Sequence, residues 1–232
     1  MSDPTPQPET KEPQYQCCLD LERRQGRTQL GLMVNYMWHH DPRHLAFLTS
    51  RYKFAAKMLS GCAHVLEVGC ADAFGTRIVQ QEVGKLTATD FDPVFVADVQ
   101  QRMEEGRWKF DVFLHDMIAG PCPGTFDGAY AMDVVEHIPA AVEDRFVGNI
   151  AASLQPHGVL VLGCPSANSQ VYASAASKAG HVNCKDGPAM KALLLRHFHN
   201  VFVFSMNDEV VHTGYFPMSQ YVIGLACGPR TA

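Results

Sequence analysis

The sequence has little of the features that would point to a membrane, a nucleic acid or an oxidising compartment. No apolar run approaches the roughly 18 residues of a membrane-spanning helix, and the first residues lack the apolar core of a signal peptide. No run rich in Lys or Arg occurs, and the net charge of −5 disfavours broad binding to duplex nucleic acid. The eight cysteines include no Cys-x-x-Cys pair, which favours reduced thiols over disulfides or a zinc site. We therefore expect a cytoplasmic protein without a membrane partner.

What is present is enough chain for one globular domain with a smaller cap, because 47% of the 232 residues are hydrophobic. Residues 1–14 contain four of the fourteen prolines and are predicted to be a disordered tail. Residues 15–60 are predicted to form a helical cap, since apolar residues from Leu45 to Leu59 recur with a period of about 3.6. Asp41 and Pro42 are typical of a helix start, and Gly61 is typical of a helix end. Residues 61–232 form the main domain, with an insert at about 165–190.

From residue 64 onward, predicted strands and helices alternate, which is typical of a parallel sheet. The strands are expected at 64–69, 85–90, 110–115, 126–132, 158–163, 200–205 and 221–226, and the helices at 75–82, 93–105, 140–154, 168–177 and 186–197. The last two strands have no helix between them, so they are expected to pair antiparallel. The predicted fold is α/β: a doubly wound, mostly parallel seven-stranded sheet with one antiparallel edge strand, helices on both faces and an N-terminal helical cap.

The glycine pattern of the turn after the first strand indicates which class of nucleotide ligand fits there. A dinucleotide fingerprint has the pattern Gly-x-Gly-x-x-Gly, in which the glycines let the backbone approach a pyrophosphate. Counting from Gly69, Ala71 stands at the second glycine position and Phe74 at the third. This pattern disfavours a nicotinamide oxidoreductase and favours a smaller ligand without a pyrophosphate.

Residues from about 60 to 228 resemble the class I S-adenosylmethionine-dependent methyltransferases. The family's first motif, acidic-x-Gly-x-Gly-x-Gly, is matched at Glu67 and Gly69, with Ala71 and Ala73 where glycine is usual. Acids follow at the ends of the second and third strands, and residues 126–138 resemble the family's fourth motif. The resemblance implies S-adenosylmethionine as the cofactor and assigns its binding to Glu67, Gly69, Cys70, Ala71, Phe74, Asp90, Phe91, Asp116, Met117, Met132 and Asp133.

Each acid of this set has an expected partner in the ligand. Asp90 is expected to accept hydrogen bonds from both ribose hydroxyls, because an acid that ends a buried strand has few structural roles. Glu67 is expected to orient the turn or hold the ligand's amino group, and Asp116 is expected to meet the adenine amino group. Asp92 is better explained as a helix N-cap ahead of Pro93. Adenine is expected to lie among Phe91, Met117 and Met132, of which the first two could equally be core residues.

Histidines are the candidate catalytic residues. His137 lies just past the fourth strand, where the methyl group is expected, and could act as the general base for an oxygen acceptor. The alternative for His137 is a structural bond to the turn or the next helix. Asp133, Glu136 and His137 also resemble the Glu-x-x-Glu-His metal motif of small-RNA 2′-O-methyltransferases and ubiquinone-pathway O-methyltransferases, with His181 of the insert as a further ligand. Because many methyltransferases carry Glu-His here without a metal, we expect no metal.

The acceptor is expected to meet two segments outside these motifs. The N-terminal segment, which folds over the ligand as a lid in many family members, contributes Trp38, His39 and Arg43. The polar loop between the last two strands contributes Asn207 and His212. A solvated helix start and a self-contained hairpin are the respective alternatives. Arg51 is expected either to meet a carboxylate or phosphate of the acceptor or to form a surface ion pair.

The predicted function is methyl transfer from S-adenosylmethionine to a small-molecule acceptor, most directly to a hydroxyl oxygen of a sugar, a sugar nucleotide or a secondary metabolite. One alternative is a metal-dependent O-methyltransferase acting on a vicinal diol or an RNA end, although the acidic composition disfavours RNA. Another alternative is a regulatory subunit that binds S-adenosylmethionine without turnover. The oligomeric state stays open.

Overall fold

The computed structural model describes residues 8–106 and 108–230, so that residues 1–7 of the predicted tail lie outside the described residues. The segment predicted to be a helical cap contains three helices, α1 (Gln16–Gln25), α2 (Leu32–His40) and α3 (His44–Met58). Helix α3 begins two residues after Pro42, because the carbonyl of Asp41 first closes a turn by accepting a hydrogen bond from the amide of His44 (3.0 Å).

The rest of the described chain alternates strands and helices around one sheet. Its strands are β1 (His64–Val68), β2 (Lys85–Asp90), β3 (Asp111–Leu114), β4 (Phe126–Met132), β5 (Leu154–Pro165), β6 (Phe198–Asn207), β7 (Val210–His212) and β8 (Tyr221–Pro229). Its helices are α4 (Thr76–Gln80), α5 (Pro93–Gly106), α6 (Glu143–Ala152), α7 (Ala175–Gly180) and α8 (Gly187–Leu195). Short 3₁₀ turns lie at Val135–His137, Ala167–Tyr172 and Phe216–Met218.

The sheet has eight strands in the order β3-β2-β1-β4-β5-β8-β6-β7. Strands β1 to β5 are parallel, and β8 runs antiparallel between β5 and β6. The predicted α/β fold with a mostly parallel sheet is confirmed. The eighth strand is β7, which the polar loop after β6 hid, because it is only three residues long and pairs with β6 across a tight turn at Asp208, whose φ is +49°.

The two faces of the sheet bury separate apolar cores, as the two-residue period of a strand requires. On one face, Leu66, Ala129 and Leu160 pack with buried residues of α6 and α8. On the other face, Val65 and Tyr130 pack with buried residues of α3 and α5. The cap helix α3 is therefore part of the main core rather than a separate layer.

Strand β1 pairs with β2 on one side and with β4 on the other, so the chain reverses its winding direction at β1. In open α/β sheets the ligand binds at the carboxyl ends of the strands at such a reversal. The residues that follow β1, β2 and β4 therefore define the candidate site. Among the described residues, no helix combines the length and the apolar composition needed to cross a lipid bilayer.

Candidate functional site

The turn after β1, residues 69–75, is called the glycine loop here. Three alternate residues of this loop have left-handed backbone angles: Gly69 (φ +73°), Ala71 (φ +45°) and Ala73 (φ +52°). A side chain at Gly69 would lie 2.5 Å from Cγ2 of Val134, so this position also requires the absence of a Cβ. The two alanines stand in a conformation that costs an L-residue about 1–2 kcal/mol, which gives a physical reason for the glycines usual there.

Asp90 connects the end of β2 to the glycine loop. Its Oδ2 accepts a hydrogen bond from the amide of Ala71 (2.8 Å), and its Oδ1 accepts one from the amide of Asp92 (2.9 Å). The residue is only 6% exposed, so these two bonds hold a nearly buried carboxylate in place. Each oxygen keeps a second lone pair for a ribose hydroxyl. Asp92 itself accepts from the amide of Val94 (2.9 Å) at the start of α5, which supports its interpretation as a cap.

Glu67 points from β1 towards the face that carries Tyr52 and Tyr130. It is buried, and its Oε2 accepts a hydrogen bond from the hydroxyl of Thr76 at the start of α4. Burial raises the pKa of Glu67 to about 7, although the nearby hydroxyls of Thr76, Tyr130 and Tyr52 oppose this rise. The contact with Thr76 ties the two ends of the glycine loop together, which supports the expectation that Glu67 orients the turn.

The residues expected near adenine divide into accessible and buried ones. Phe91 is 75% exposed, so it is not a core residue, and Asp116 is exposed with one oxygen bound by the amide of Ile118 (2.9 Å). Met117 is buried in the core beside α6, which is the alternative that the sequence left open for it. Met132 is also buried, next to the Tyr221 hydroxyl.

The remaining loop residues contribute mainly through their backbone. The amides of Gly69 and Cys70 donate to the carbonyl of Thr89 at 2.8 and 3.0 Å, so the loop starts on the end of β2. The Cys70 side chain is buried, and burial raises the pKa of its thiol far above the usual value. The half-buried Phe74 donates its amide to Oδ1 of Asp72 (3.3 Å). The backbone around Gly69, Ala71 and Asp90, with accessible Phe91 and Asp116, fits a nucleoside that lacks phosphates.

Asp133, which follows β4, is held by Arg51, for which the sequence left open a contact with the acceptor or a surface ion pair. Nη1 of Arg51 lies 2.8 Å from both oxygens of Asp133, and the guanidinium stacks 3.9 Å above the ring of Tyr221. Burial opposes the charge on Arg51, but Asp133 and Tyr221 raise the pKa of Arg51 above its usual value. Arg51 follows Leu48 on the buried side of α3, and a charge within such an apolar stripe was the available signal. Asp133 is thus committed to an ion pair rather than to a metal.

Glu136, His137 and His181 come together beyond the end of β4 and are called the Glu–His–His cluster. Their nearest ligand atoms all lie within 4.8 Å of one another. Glu136 is fully buried, and neither of its carboxylate oxygens has a hydrogen-bond partner. Burial, together with the charge of Asp133, raises the pKa of Glu136 well above its usual value. The amide of Asn183 donates to the Glu136 carbonyl (2.9 Å) and so holds the insert against this cluster.

The hydrogen bonds of the two histidines assign their protonation. Nδ1 of His137 lies 2.9 Å from the carbonyl of Gly180, and Nδ1 of His181 lies 3.0 Å from Oε1 of Gln170. Because a carbonyl oxygen only accepts, the hydrogen is assigned to Nδ1 in both rings, which leaves a lone pair on each Nε2. Burial, and His137 whenever that ring is protonated, lower the pKa of His181, which favours its neutral form. The His137 side chain is 49% exposed, and its Nε2 lies 4.0 Å from Oε1 of Glu136, which is too far for a hydrogen bond and leaves the lone pair for an acceptor.

The residues expected to meet the acceptor do not all gather at this cluster. Trp38 is 55% exposed on α2 beside exposed His39, and exposed Arg43 pairs with Asp41 (3.3 Å). In the β6–β7 hairpin, Nε2 of His212 lies 2.8 Å from Oδ1 of Asn207, and Nδ1 of His212 accepts from the amide of Gly214 (3.0 Å). Asn207 also donates to the carbonyl of Met218 (3.0 Å), so this pair fits the self-contained hairpin that the sequence left open.

Comparison with known proteins agrees with this geometry. A family profile described as "Methyltransferase domain" matches residues 65–158, from β1 into β5. The ubiquinone biosynthesis O-methyltransferase of Xanthomonas campestris pv. campestris (strain B100) is 24% identical over 160 residues, which span 66% of this chain and 66% of that protein.

Two solved structures share the fold at low identity. The N-methyltransferase NodS from Bradyrhizobium japonicum WM9 in complex with S-adenosyl-L-homocysteine is 17% identical, with a TM-score of 0.59 over 91% of this chain and 98% of that one. The methyltransferase domain of bacterial CtHen1-C is 12% identical, with a TM-score of 0.64 over 79% of this chain and 100% of that one.

Proposed function

Because the chain belongs to the class I S-adenosylmethionine-dependent methyltransferases, with S-adenosylmethionine as methyl donor, we propose that it methylates a hydroxyl oxygen of a small-molecule acceptor. The name of the curated relative supports oxygen as the methylated atom, and that of NodS makes nitrogen the alternative. A sugar, a sugar nucleotide or a secondary metabolite is the acceptor class that we propose. The eight free thiols fit a reducing compartment such as the cytoplasm.

The observation that carries this proposal is the open Nε2 of His137. S-adenosylmethionine supplies a methyl carbon that its positive sulfur activates for in-line displacement. His137 accepts the acceptor's hydroxyl proton at Nε2 while the new carbon–oxygen bond forms and the carbon–sulfur bond breaks. The Gly180 carbonyl, 2.9 Å from Nδ1, holds the ring in the tautomer that this step requires. His181 restricts the orientation of the His137 ring, since the two ring centres are 5.3 Å apart.

The test is a transfer assay with labelled S-adenosylmethionine and matched acceptors that differ only in carrying a hydroxyl or an amine. We expect label in the hydroxyl acceptors and one S-adenosylhomocysteine formed per methyl group. Label only in the amines would contradict oxygen as the methylated atom. Binding of S-adenosylhomocysteine without transfer to any acceptor would favour a regulatory subunit.

A second candidate function, metal-dependent O-methylation, is favoured by the chemistry of the Glu–His–His cluster. Glu136, whose buried carboxylate has no hydrogen-bond partner, His137 and His181 each offer one ligand atom within 4.8 Å of the other two. Metal-binding histidines usually donate their other ring N–H to a carbonyl or carboxylate, as His137 and His181 do here. A divalent cation would fit these three residues and would lower the pKa of a bound hydroxyl. Asp133, the first acid of the motif, would not take part because Arg51 holds it.

Chelation and metal titration separate the two candidates. If the cation is required, chelated protein loses turnover, and calorimetry shows one Mn²⁺ or Zn²⁺ site that disappears in His181→Ala. If His137 acts alone, chelated protein keeps its turnover and His181→Ala reduces turnover only slightly. Gln170→Ala is the matched control, because it removes the bond that orients His181 but no metal ligand.

A further inference from the structure

Asp72, in the middle of the glycine loop, has no role in the function proposed above. It is buried, and its two carboxylate oxygens face different parts of the chain. Oδ1 accepts a hydrogen bond from the amide of Phe74 within the loop (3.3 Å). Oδ2 accepts one from the amide of Val34 (2.7 Å), which lies 38 positions earlier in the first turn of α2. Asp72 therefore caps a helix of the N-terminal segment from within the glycine loop.

The start of α2 is shaped for this contact. Gly31 precedes the helix, and because glycine has no side chain it cannot cap the first turn itself. A Cβ at Gly31 would lie 2.4 Å from Cβ of Asp72, so only glycine lets the two backbones approach this closely. The carboxylate also complements the positive end of the helix dipole. The first turn of α2 thus depends on a residue of the glycine loop.

The opposite side of Asp72 is fixed as well. Nη2 of Arg102, on α5, donates to the carbonyl of Asp72 and to Oδ2 of Asp98 (2.8 Å). Arg102 is buried, so this contact is shielded from water. Ala71 and Ala73, on either side of Asp72, have positive φ angles, so a movement of Asp72 would alter the loop at both neighbours. Asp72 is the point at which α2, the glycine loop and α5 meet.

We propose that Asp72 is a positioning residue that couples the docking of helix α2 to binding of the methyl donor on the glycine loop. The inference rests on donor binding and is independent of which acceptor is used. Helix α2 carries Trp38 and His39, so the coupling would order the predicted acceptor-side residues when the donor is bound. Coupling between two binding events is reciprocal, so loosening α2 from Asp72 must also weaken the donor.

The experiment combines calorimetry with limited trypsin digestion of the full chain, using S-adenosylhomocysteine as the probe. Trypsin can cut after Arg27, in the connection between α1 and α2. In wild type, we expect S-adenosylhomocysteine to slow cleavage there by about 5-fold or more. In Asp72→Ala, we expect that protection to disappear and the donor Kd to rise by about 5- to 10-fold. Asp72→Asn keeps one carbonyl acceptor and should fall between the two.

Two further variants keep the test decisive. Gly31→Ala disturbs the same contact while Asp72 stays in place, so it should reproduce the loss of protection even if Asp72→Ala folds poorly. Asp186→Ala is the matched control, because Asp186 caps α8 by accepting from the amide of Ala189 (2.8 Å) and is absent from the α2 contact. It should lose comparable stability and keep wild-type protection.

Protection that survives in both Asp72→Ala and Gly31→Ala would overturn the coupling, as would wild-type protein that S-adenosylhomocysteine binds without protecting. Neither result would contradict the proposed O-methylation. That proposal fails separately, if the transfer assay shows no label in the hydroxyl acceptors. Loss of protection in Asp186→Ala equal to that in Asp72→Ala would assign the effect to general instability and contradict a specific role of Asp72.

Discussion

The glycine loop and the Glu–His–His cluster lie at the carboxyl ends of neighbouring strands, yet most of their buried carboxylates differ in hydrogen bonding, with Oε1 of Glu67 as the one oxygen beside the loop that lacks a partner among the described residues. Asp90 and Asp72 each have backbone N–H partners on both oxygens. Glu136 has a hydrogen-bond partner on neither oxygen, and Nε2 of His137 lies 4.0 Å from its Oε1 without forming a hydrogen bond. A buried polar group without partners is costly, so it calls for an explanation such as a ligand or a catalytic role. The comparison indicates that the first region is built to hold the donor and the second to react.

The largest expected effect is a loss of turnover, in a variant that changes the Glu–His–His cluster and leaves the glycine loop intact. His137→Ala removes the proposed proton acceptor but no residue of the glycine loop. We expect kcat to fall by about 10²- to 10⁴-fold, the usual contribution of a general base. Steady-state rates with a hydroxyl acceptor measure this fall. His157→Ala, which removes an exposed histidine that pairs with Asp127, is the control and should retain the wild-type rate. An unchanged kcat in His137→Ala would rule out the general-base role.

The pH dependence of stability tests the buried acid of the first region. In the folded chain the pKa of Glu67 is about 7, whereas the ordinary value for a glutamate is 4.5. The unfolded chain binds fewer protons between these values, so this residue makes the free energy of unfolding fall as pH rises from 4.5 to about 7. The total loss is roughly 3 kcal/mol, and no further loss follows above that window.

Glu67→Gln should remove this part of the slope. Urea unfolding at pH 5 and pH 7.5 gives the change in the free energy of unfolding between these two pH values for each protein. The difference between wild type and variant isolates the contribution of Glu67, because other buried acids contribute equally to both. Identical slopes in the two proteins would show that Glu67 is ionised throughout the window and would contradict the raised pKa.

The next largest effect is expected on the affinity for the methyl donor, in a variant of Asp90. Asp90→Ala removes the acceptor of the Ala71 and Asp92 amides together with the proposed ribose contact. Loss of hydrogen bonds to a charged group costs about 1.5–3 kcal/mol, so the Kd for S-adenosylhomocysteine should rise by about 10- to 100-fold. Asp92→Ala, which removes only the cap of α5, is the matched control. Equal Kd values in the two variants would contradict the special role of Asp90.

The smallest expected effect concerns the strain in the glycine loop. Ala71→Gly should stabilise the fold by about 0.5–1 kcal/mol, because relief of a positive φ outweighs the extra freedom of glycine in the unfolded chain. Ala97→Gly, at an exposed position of α5, is the same substitution in an ordinary helical conformation and should destabilise by about 1 kcal/mol. Urea unfolding measures both. The same sign for the two variants would argue against strain at Ala71.

Much of the fold was predictable because local patterns determine it. The alternation of strand and helix segments along the chain predicted the parallel sheet, and β2 and β4 have the predicted bounds. The motif residues Gly69 and Asp90 lie at strand ends because the parallel order forces them to. The short strand β7 escaped prediction, since three residues carry too little periodicity to separate a strand from a polar loop.

The partners of the site residues were less predictable, because they depend on which distant faces meet. Arg51 reaches Asp133 across 82 positions of the chain, and Asp72 reaches Val34 across 38. Helical periodicity places Arg51 on the buried side of α3 but does not name its partner. The unsatisfied oxygens of Glu136 are likewise a property of tertiary packing, because the sequence does not show whether a hydrogen-bond donor faces this carboxylate.

The most direct test of the account is calorimetry of S-adenosylhomocysteine with wild type and with His137→Ala, measured beside their turnover. If donor holding and reaction belong to separate regions, the two proteins bind the ligand with the same Kd and one site per chain, while only wild type turns over at the full rate. A weakened Kd in His137→Ala, in proportion to its lost turnover, would contradict the separation.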